Sequence, residues 1–338
     1  MKTLITPIIA GAIFSLVAGS AAATTLDDVK AKGFVQCGVN SSLVGFAALD
    51  DGGNWVGFDV DYCRAIAAAI FGDPKAVKFT PLTATDRFVA LQSGEVDILV
   101  RNTTWTMSRE TTLGLAFSFV NYYDGQGFMV PKADGITSAL DLSGASVCVL
   151  TGTTTESNLA NYFRRNKMDL NPVVFGNADE AIAAYDSGSC DAYTTDSSGL
   201  YSTRLTLSNP DEHIVLPEII SKEPLGPVVR QGDEQWLNII KWVGFALLNA
   251  EEHGVTHANV EQMKSSDDQE IQLLLDVDGT LGQSVGLNID WVFNALKAVG
   301  NYGEIFNRNI GSGSPLQITR GLNALWTRGG IQYAPPVY

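Results

Sequence analysis

The sequence is poor in histidine, in basic residues and in charge overall. It contains 3 His, and its 22 Lys and Arg face 37 Asp and Glu, which gives a formal net charge of −15. Nucleic-acid binders usually carry a basic surface, so this acidic balance argues against a nucleic-acid partner. The chain also has no Gly-Lys dipeptide, which excludes a phosphate-binding loop of the usual kind.

The amino terminus has a short apolar stretch where a membrane span would need a longer one. Lys2 precedes an apolar segment at 4–17, and small residues follow at 18–23. This layout predicts a secretory signal peptide at 1–23, cleaved after Ala23, and therefore an exported protein. An uncleaved anchoring helix is the alternative, for which the apolar segment is short.

Cysteine is also scarce, and its four positions fit an oxidising compartment. Sequence alone cannot choose among the three possible pairings. Cys37 and Cys63 flank one predicted strand–helix unit, and Cys148 and Cys190 flank another. We therefore favour one disulfide within each unit. Free buried thiols or a metal site are the alternatives, but the chain has no C-x-x-C pair and few histidines, so we predict no metal.

Strand and helix patterns alternate along the chain. We predict strands at 34–39, 77–79, 96–100, 146–150 and before residue 196, and helices at 26–32, 58–71, 87–93, from 154, at 181–187 and at 291–299. Strands separated by helices imply an α/β fold with mainly parallel sheets, whose ligands bind at the carboxyl ends of the strands. A chain of 338 residues is long enough for two lobes with separate cores.

A polar segment follows the predicted strand at 96–100. It supplies neutral hydrogen-bonding groups from Asn102, Thr103, Thr104 and Thr106, and it ends on Arg109. The planar guanidinium of an arginine matches a carboxylate bidentately, so this segment predicts a site for a small acid or zwitterion. A Thr-rich turn leading to a helix with an exposed arginine is the alternative.

The second half of the chain offers complementary groups. Thr153 and Thr154 open a predicted helix, where free backbone N–H groups and hydroxyls attract an anion; an ordinary threonine cap is the alternative. Asp196 ends a predicted strand, where its carboxylate can receive an ammonium group or instead cap the following Ser-Ser turn. With Arg109 on one unit and Asp196 on the other, an α-amino acid would satisfy both charges.

At this point the chain resembles the polar amino acid solute-binding family of ATP-driven importers, and in particular the general L-amino acid-binding periplasmic proteins. The resemblance covers nearly the whole mature chain. A Gly-aromatic-acid-aliphatic-acid motif of the family matches GFDVD at 57–61, although Tyr62 follows where an aliphatic residue is commoner. The other matching strings are RNTTWT, NYYDGQGFMVP, GTTTE, KEPLGPVVRQGD and VGNYGEIF.

The resemblance implies the two-lobed periplasmic binding protein fold, each lobe a mainly parallel sheet flanked by helices. Two crossings, near Met129–Pro131 and Ile220–Lys222, would act as a hinge. Lobe one would comprise 24–130 and 222–338, and lobe two 131–221. The role implied is that of a periplasmic protein that closes on an L-amino acid and presents it to a membrane permease.

The family's ligand contacts carry over to particular positions. Asn102, Thr104 and Arg109 match its carboxylate-binding segment, and Asp196 matches its amine-binding aspartate. Another family pair, at the helix start of lobe two, matches Thr153 and Thr154. Asn40 stands where many relatives carry an aspartate, and an uncharged residue there disfavours a cationic ligand.

Glutamate, glutamine, aspartate and asparagine are therefore the expected ligands, with no cofactor. Arg87 and Arg101 are candidates for neutralising a side-chain carboxylate, or else they are solvated surface arginines. The resemblance implies a monomer without catalytic activity. A secreted dehydratase-like enzyme on the same fold, or a sensor for a membrane receptor, are the alternatives.

Two local patterns suggest other chemistry. Asp276 and Asp278 copy the aspartate pair of phosphatases that form an aspartyl-phosphate, but too few residues follow them for that domain. His253 and His257 are spaced to share a helix face for zinc, but Gly254 weakens the helix and no third ligand is evident. We interpret both patterns as structural.

Overall fold

The computed structural model describes residues 24–337, and the predicted signal peptide at 1–23 lies outside them. The described chain forms two α/β lobes, each built on a five-stranded sheet. No helix in this part of the chain is both long and apolar enough to cross a membrane.

The chain alternates strands and helices. The strands are β1 Val35–Asn40, β2 Ala48–Leu49, β3 Trp55–Val56, β4 Val77–Leu82, β5 Ile98–Leu99, β6 Leu115–Phe117, β7 Tyr122–Asp124, β8 Gln126–Pro131, β9 Ser146–Leu150, β10 Asn171–Phe175, β11 Ala192–Asp196, β12 His213–Val215, β13 Glu223–Leu225 and β14 Val228–Arg230. The α-helices are α1 Thr25–Lys32, α2 Phe58–Phe71, α3 Arg87–Ser93, α4 Met107–Thr112, α5 Thr154–Arg165, α6 Ala178–Asp186, α7 Ser197–Arg204, α8 Glu234–Glu252, α9 Val260–Met263, α10 Gln269–Leu274, α11 Thr280–Ser284, α12 Trp291–Val299 and α13 Tyr302–Asn309.

The two sheets have the same order of equivalent strands. The order β4-β1-β5-β14-β6 in the first sheet corresponds, strand by strand, to β10-β9-β11-β8-β12 in the second. In each sheet four strands run in one direction, and one strand, β14 or β8, is antiparallel to its neighbours. The predicted two-lobed fold with mainly parallel sheets is confirmed.

Helix α2 shows why the local sequence folds as it does. Gly57 precedes it with a φ of 136°, and a Cβ there would lie 2.1 Å from the carbonyl oxygen of Phe46, so this position needs glycine. The helix ends at Gly72, which has a φ of 72° and donates its N–H to the carbonyl of Ala68. Its small alanines allow it to be buried between β1, α8 and α12.

The lobes are joined through a two-stranded ribbon, in which β7 pairs antiparallel with β13. Strand β8 belongs entirely to the second sheet, so the first crossing lies at 124–126 and not at the predicted Met129–Pro131. At the second crossing, the Ile220 N–H still bonds to Gln126 of β8 before β13 begins at Glu223. We therefore propose that lobe one comprises 24–124 and 223–337, and lobe two 125–222.

The carboxyl-terminal third packs on lobe one and reaches the hinge ribbon. Helix α8 buries the apolar residues that recur at helical spacing along it, namely Trp236, Ile239, Ile240, Val243 and Leu247. Further along, the side-chain amide of Asn323 accepts from the Tyr123 N–H (2.7 Å) and donates to the Tyr123 carbonyl (3.0 Å). This amide satisfies the outer edge of β7, which has no further strand beside it.

Each lobe contains one disulfide. Cys37 on β1 is bonded to Cys63 on α2, and Cys148 on β9 is bonded to Cys190, just before β11. This is the arrangement favoured from the sequence. Neither bond joins one lobe to the other, so each cross-link stabilises a single lobe.

Candidate functional site

A cleft of about 770 Å³, including space open to solvent, lies between the lobes at the carboxyl ends of their parallel strands. Seven of the eight predicted ligand-binding residues line it: Asn40, Arg87, Asn102, Thr104, Thr153, Thr154 and Asp196. The eighth, Arg109, is buried beside the cleft and is not among its lining residues.

On lobe one, two asparagines at adjacent strand ends form the cleft wall. Asn40 ends β1, and its Nδ2 donates to Oδ1 of Asn102 at 3.0 Å. Asn102 has a left-handed φ of 32°, and its N–H donates to Oδ2 of Asp59 at 3.1 Å. Burial raises the pKa of Asp59 to about 7, against the lowering effects of the Asn102 bond and the Arg101 charge. The GFDVD motif thus anchors this wall through Asp59.

Three arginines are buried on the same side of the cleft, with 3% of Arg87, 6% of Arg101 and 7% of Arg109 exposed. The interpretation of Arg87 and Arg101 as solvated surface residues is therefore wrong. Arg101 Nε donates to the Leu82 carbonyl (2.9 Å), and Arg109 donates to the Thr104 carbonyl (2.8 Å). The Nε of Arg87 is buried and has no hydrogen-bond partner in the described part of the chain.

The charges of these arginines are not neutralised by direct ion pairs. Among residues 24–337, no carboxylate lies within 4.0 Å of any of the three. Burial lowers the pKa of Arg87 well below its usual value, and the charges of Arg101 and Arg109 lower it further. Burial likewise lowers the pKa of Arg101 to about 10. An anionic group in the cleft would relieve this electrostatic cost.

On lobe two, the two predicted threonines have different roles. Thr153 is the N-cap of α5: its hydroxyl accepts from the Glu156 N–H (3.2 Å) and donates to the Leu150 carbonyl (2.6 Å). The ordinary threonine cap weighed from the sequence is therefore present at Thr153. The hydroxyl of Thr154 is not used in this way and donates instead to Glu223, at 2.9 Å.

Asp196 lies at the end of β11 and is 6% exposed. It does not cap α7, because it makes no side-chain hydrogen bond to that helix. Asp124 of the hinge ribbon caps α7 instead, because its carboxylate accepts from the N–H and the hydroxyl of Ser198. Burial raises the pKa of Asp196 well above its usual value, and the nearby charges of Asp124 and Glu223 raise it further. An ammonium group beside Asp196 would favour its charged form.

Two acids near the cleft were missed from the sequence, the buried Glu223 and the half-buried Asp124. Glu223 is 1% exposed and accepts from Thr104, at 2.6 Å, as well as from Thr154. Burial raises the pKa of Asp124 to about 6, against its bonds to Ser198. The two acids are directly opposite on β13 and β7. A signal for Glu223 existed, since an acid follows the predicted second crossing, but the strand pairing that aims it at the cleft is not visible in sequence.

The lobes also touch at the rim of the cleft. The hydroxyl of Ser42, just after β1, donates to Oδ1 of Asp179 on α6 at 3.1 Å. Both residues are exposed. This contact joins lobe one to lobe two outside the hinge.

The two patterns that suggested other chemistry are structural. Asp276 is buried and accepts from the Gly282 N–H (2.6 Å) and from the Trp291 indole N–H (3.0 Å), which fixes a turn. His253 lies 3.7 Å from Glu270 at the surface. Within residues 24–337, no group of three or more His, Cys, Asp or Glu side chains is placed to hold a metal ion.

Two α/β lobes that enclose a polar cleft of this charge pattern define a solute-binding protein of the two-lobed class. Residues 35–256 match the model of the bacterial extracellular solute-binding proteins, family 3, and the chain belongs to this family.

Known relatives extend over almost the full length of the chain. It is 63% identical to the general L-amino acid-binding periplasmic protein AapJ of Rhizobium johnstonii, over 99% of this chain and 98% of that one. It is 55% identical to the glutamate/glutamine/aspartate/asparagine-binding protein BztA of Rhodobacter capsulatus, over 96% of each.

Among solved structures, an ABC transporter periplasmic binding protein from Brucella ovis with glutathione bound is 65% identical. Its TM-score is 0.92, and the match covers 94% of this chain and 100% of that one.

Proposed function

We propose that this protein is the periplasmic binding component of an ATP-driven importer and captures polar L-amino acids between its lobes. Glutamate, glutamine, aspartate and asparagine are the preferred ligands. The names of AapJ and BztA support this choice. The observation that carries it is the division of charge across the cleft, with buried unpaired guanidiniums on lobe one and a buried carboxylate on lobe two.

Each part of the ligand has a matching group in this proposal. The buried charge of Arg109 attracts the α-carboxylate, and Asp196 receives the ammonium. Asn40 and Asn102 bond to the polar end of the side chain. Arg87, whose Nε lacks a partner within residues 24–337, receives a second carboxylate. A guanidinium bond to a carboxylate is among the stronger hydrogen bonds in proteins.

The ligand range extends to small γ-glutamyl peptides. Glutathione keeps one ammonium and two carboxylates, which is the charge pattern that the cleft complements. The similar Brucella ovis protein has been solved with glutathione bound.

Capture works by closure of the lobes. A ligand that contacts both Arg87 and Asp196 gains its full interaction energy only when the lobes are together, so it favours the closed form. The permease then recognises this form of the monomeric protein. The cleft groups bind and orient the ligand without catalysing a reaction on it.

Thermal melting of the mature protein, freed of ligand by unfolding and refolding, tests the proposal. We expect the midpoint to rise with the four preferred amino acids and glutathione, because any ligand that binds the folded state stabilises it. Sugars should have no effect. If no amino acid or peptide shifts the midpoint, the proposal is wrong.

An Arg87→Met variant tests the role of the unpaired guanidinium. Its affinity for glutamate should fall by at least tenfold, while glutamine, which lacks the second charge, should lose less. The unliganded variant should melt at a higher temperature, because replacing an unpaired buried charge by an apolar side chain removes a desolvation cost. Arg165→Met, at an exposed position of α5, is the control and should change neither property.

A further inference from the structure

Glu223 occupies a central position between the lobes. It is the first residue of β13 in the hinge ribbon and is 1% exposed. Its Oε2 accepts from the hydroxyls of Thr104 (2.6 Å) and Thr154 (2.9 Å). Its Oε1 accepts from Asn158 Nδ2 (2.7 Å) and from the Ser221 hydroxyl (2.6 Å). One carboxylate thus receives donors from lobe one, from lobe two and from the second crossing.

These bonds fix the direction of two cleft hydroxyls. A threonine hydroxyl has one proton to donate and two lone pairs that accept, and a carboxylate can only accept. Thr104 and Thr154 both line the cleft, and their oxygens lie 3.4 Å apart. Because each gives its proton to Glu223, both present lone pairs to the cleft.

We infer that Glu223 is a positioning residue for specificity: by taking the protons of Thr104 and Thr154, it makes them acceptors that select ligands carrying an ammonium or other N–H donor. This inference rests on the proposed function of the cleft. A dicarboxylate of the same length without the ammonium would meet lone pairs where it offers no proton, and buried acceptors without donors are costly.

Isothermal calorimetry of the mature protein with L-glutamate and with glutarate, which lacks the amino group, tests this inference. In the wild type, glutamate should bind much more tightly than glutarate. In Glu223→Gln, one oxygen of the side chain is replaced by a donor NH₂, and the threonine hydroxyls are released to turn towards the ligand. The ratio of glutamate to glutarate affinity should fall at least tenfold.

If Glu223 had a merely structural role, Glu223→Gln would lower the affinities for glutamate and glutarate by the same factor. The ratio of the two affinities would then be unchanged, which would overturn the inference. Glu218→Gln is the matched control. Glu218 precedes the same crossing and accepts from Ser138 (2.6 Å), but the hydroxyls of Thr104 and Thr154 donate to Glu223 and not to it. In Glu218→Gln, the ratio of glutamate to glutarate affinity should stay at the wild-type value.

A second variant pair shows whether Glu223 acts through the hydroxyls. In a Thr104→Val/Thr154→Val background, adding Glu223→Gln should change the affinity ratio by less than twofold. A tenfold change there would show that the hydroxyls are not the route and would also overturn the inference.

Failure of the inference and failure of the proposed function give different results. A wild-type protein that binds no amino acid contradicts the proposed function. A wild type that binds glutamate, with an unchanged ratio in Glu223→Gln, contradicts the inference alone. If Glu223→Gln does not fold, Thr154→Val provides the test, because losing one acceptor should also lower the ratio.

Discussion

The two lobes have the same strand order and yet present opposite chemistry to the cleft. Lobe one contributes Arg87 and Arg101 to the lining, with Arg109 buried behind them, whereas lobe two contributes Asp196 and a series of hydroxyl groups. The difference lies in the side chains at and after the strand ends, because the order of the strands is the same in both sheets. Neither lobe alone complements a zwitterion, so a ligand with both charges favours their approach to each other.

The largest expected effect is the loss of lobe two's carboxylate. Asp196→Asn should weaken glutamate binding by about 2 to 5 kcal/mol, roughly 30-fold or more in Kd, because the ligand ammonium loses its buried partner. The unliganded variant should also melt at a higher temperature, since an acid whose pKa is raised by burial is replaced by a neutral isostere.

Calorimetry and melting check the two halves of that prediction. Asp211→Asn, at an exposed position of the same lobe, should change neither. Unchanged glutamate affinity in Asp196→Asn would contradict the division of charge between the lobes, because lobe two would then contribute no charge to binding.

A smaller effect concerns pH and the acid buried in lobe one. Burial raises the pKa of Asp59 to about 7 in the folded protein, above its ordinary value of 3.8. Between these values the folded state binds more protons than the unfolded state, so stability is highest below the lower value and declines as pH rises through 7. The slope contributed by one such group is at most about 1.4 kcal/mol per pH unit.

Urea unfolding at several pH values between 5 and 7 measures this slope, which should become shallower in Asp59→Asn. Any slope that remains belongs to the other acids whose pKa is raised by burial, namely Asp196 and Asp124. Asp50→Asn is the control: its exposed carboxylate has a lowered pKa, and so it should not affect this window. An unchanged slope in Asp59→Asn would contradict the prediction.

The smallest effect is expected at the rim. Ser42→Ala removes the hydrogen bond to Asp179 that joins the lobes at 3.1 Å. An exposed hydrogen bond of this kind contributes at most about 1 kcal/mol, so glutamate should bind no more than roughly fivefold more weakly. Stopped-flow fluorescence should show that this loss of affinity comes from a faster dissociation rate. Ser41→Ala alters the neighbouring exposed serine and should behave as wild type.

Much of the architecture could be predicted because periodicity and helix ends are local signals. Strand β9 and helix α12 have the predicted bounds. Strand β4 was predicted too short: it continues to Leu82 and includes Pro81, which is tolerated because β4 lies at the edge of its sheet. The first crossing was misplaced because the sheet to which β8 belongs depends on its long-range pairing with β11, which no local signal shows.

Which residues line the cleft could be predicted in part. Residues at strand ends, such as Asn40 and Asp196, follow from the fold rule for parallel sheets. The burial of Arg87 could not be predicted, because a helix-starting arginine has no local feature that distinguishes solvent from cleft. Glu223 was missed for a related reason: its four donors come from three separate parts of the chain.

The disulfides have a consequence for how an exported chain acquires its covalent structure. Each cysteine is bonded to its neighbouring cysteine in the sequence, with separations of 26 and 42 residues. In a polypeptide that emerges amino end first, the correct partner of Cys37 is therefore the first cysteine to appear after it. Simple order of appearance favours the native pairing, so oxidation needs no later exchange of partners between the two halves of the protein.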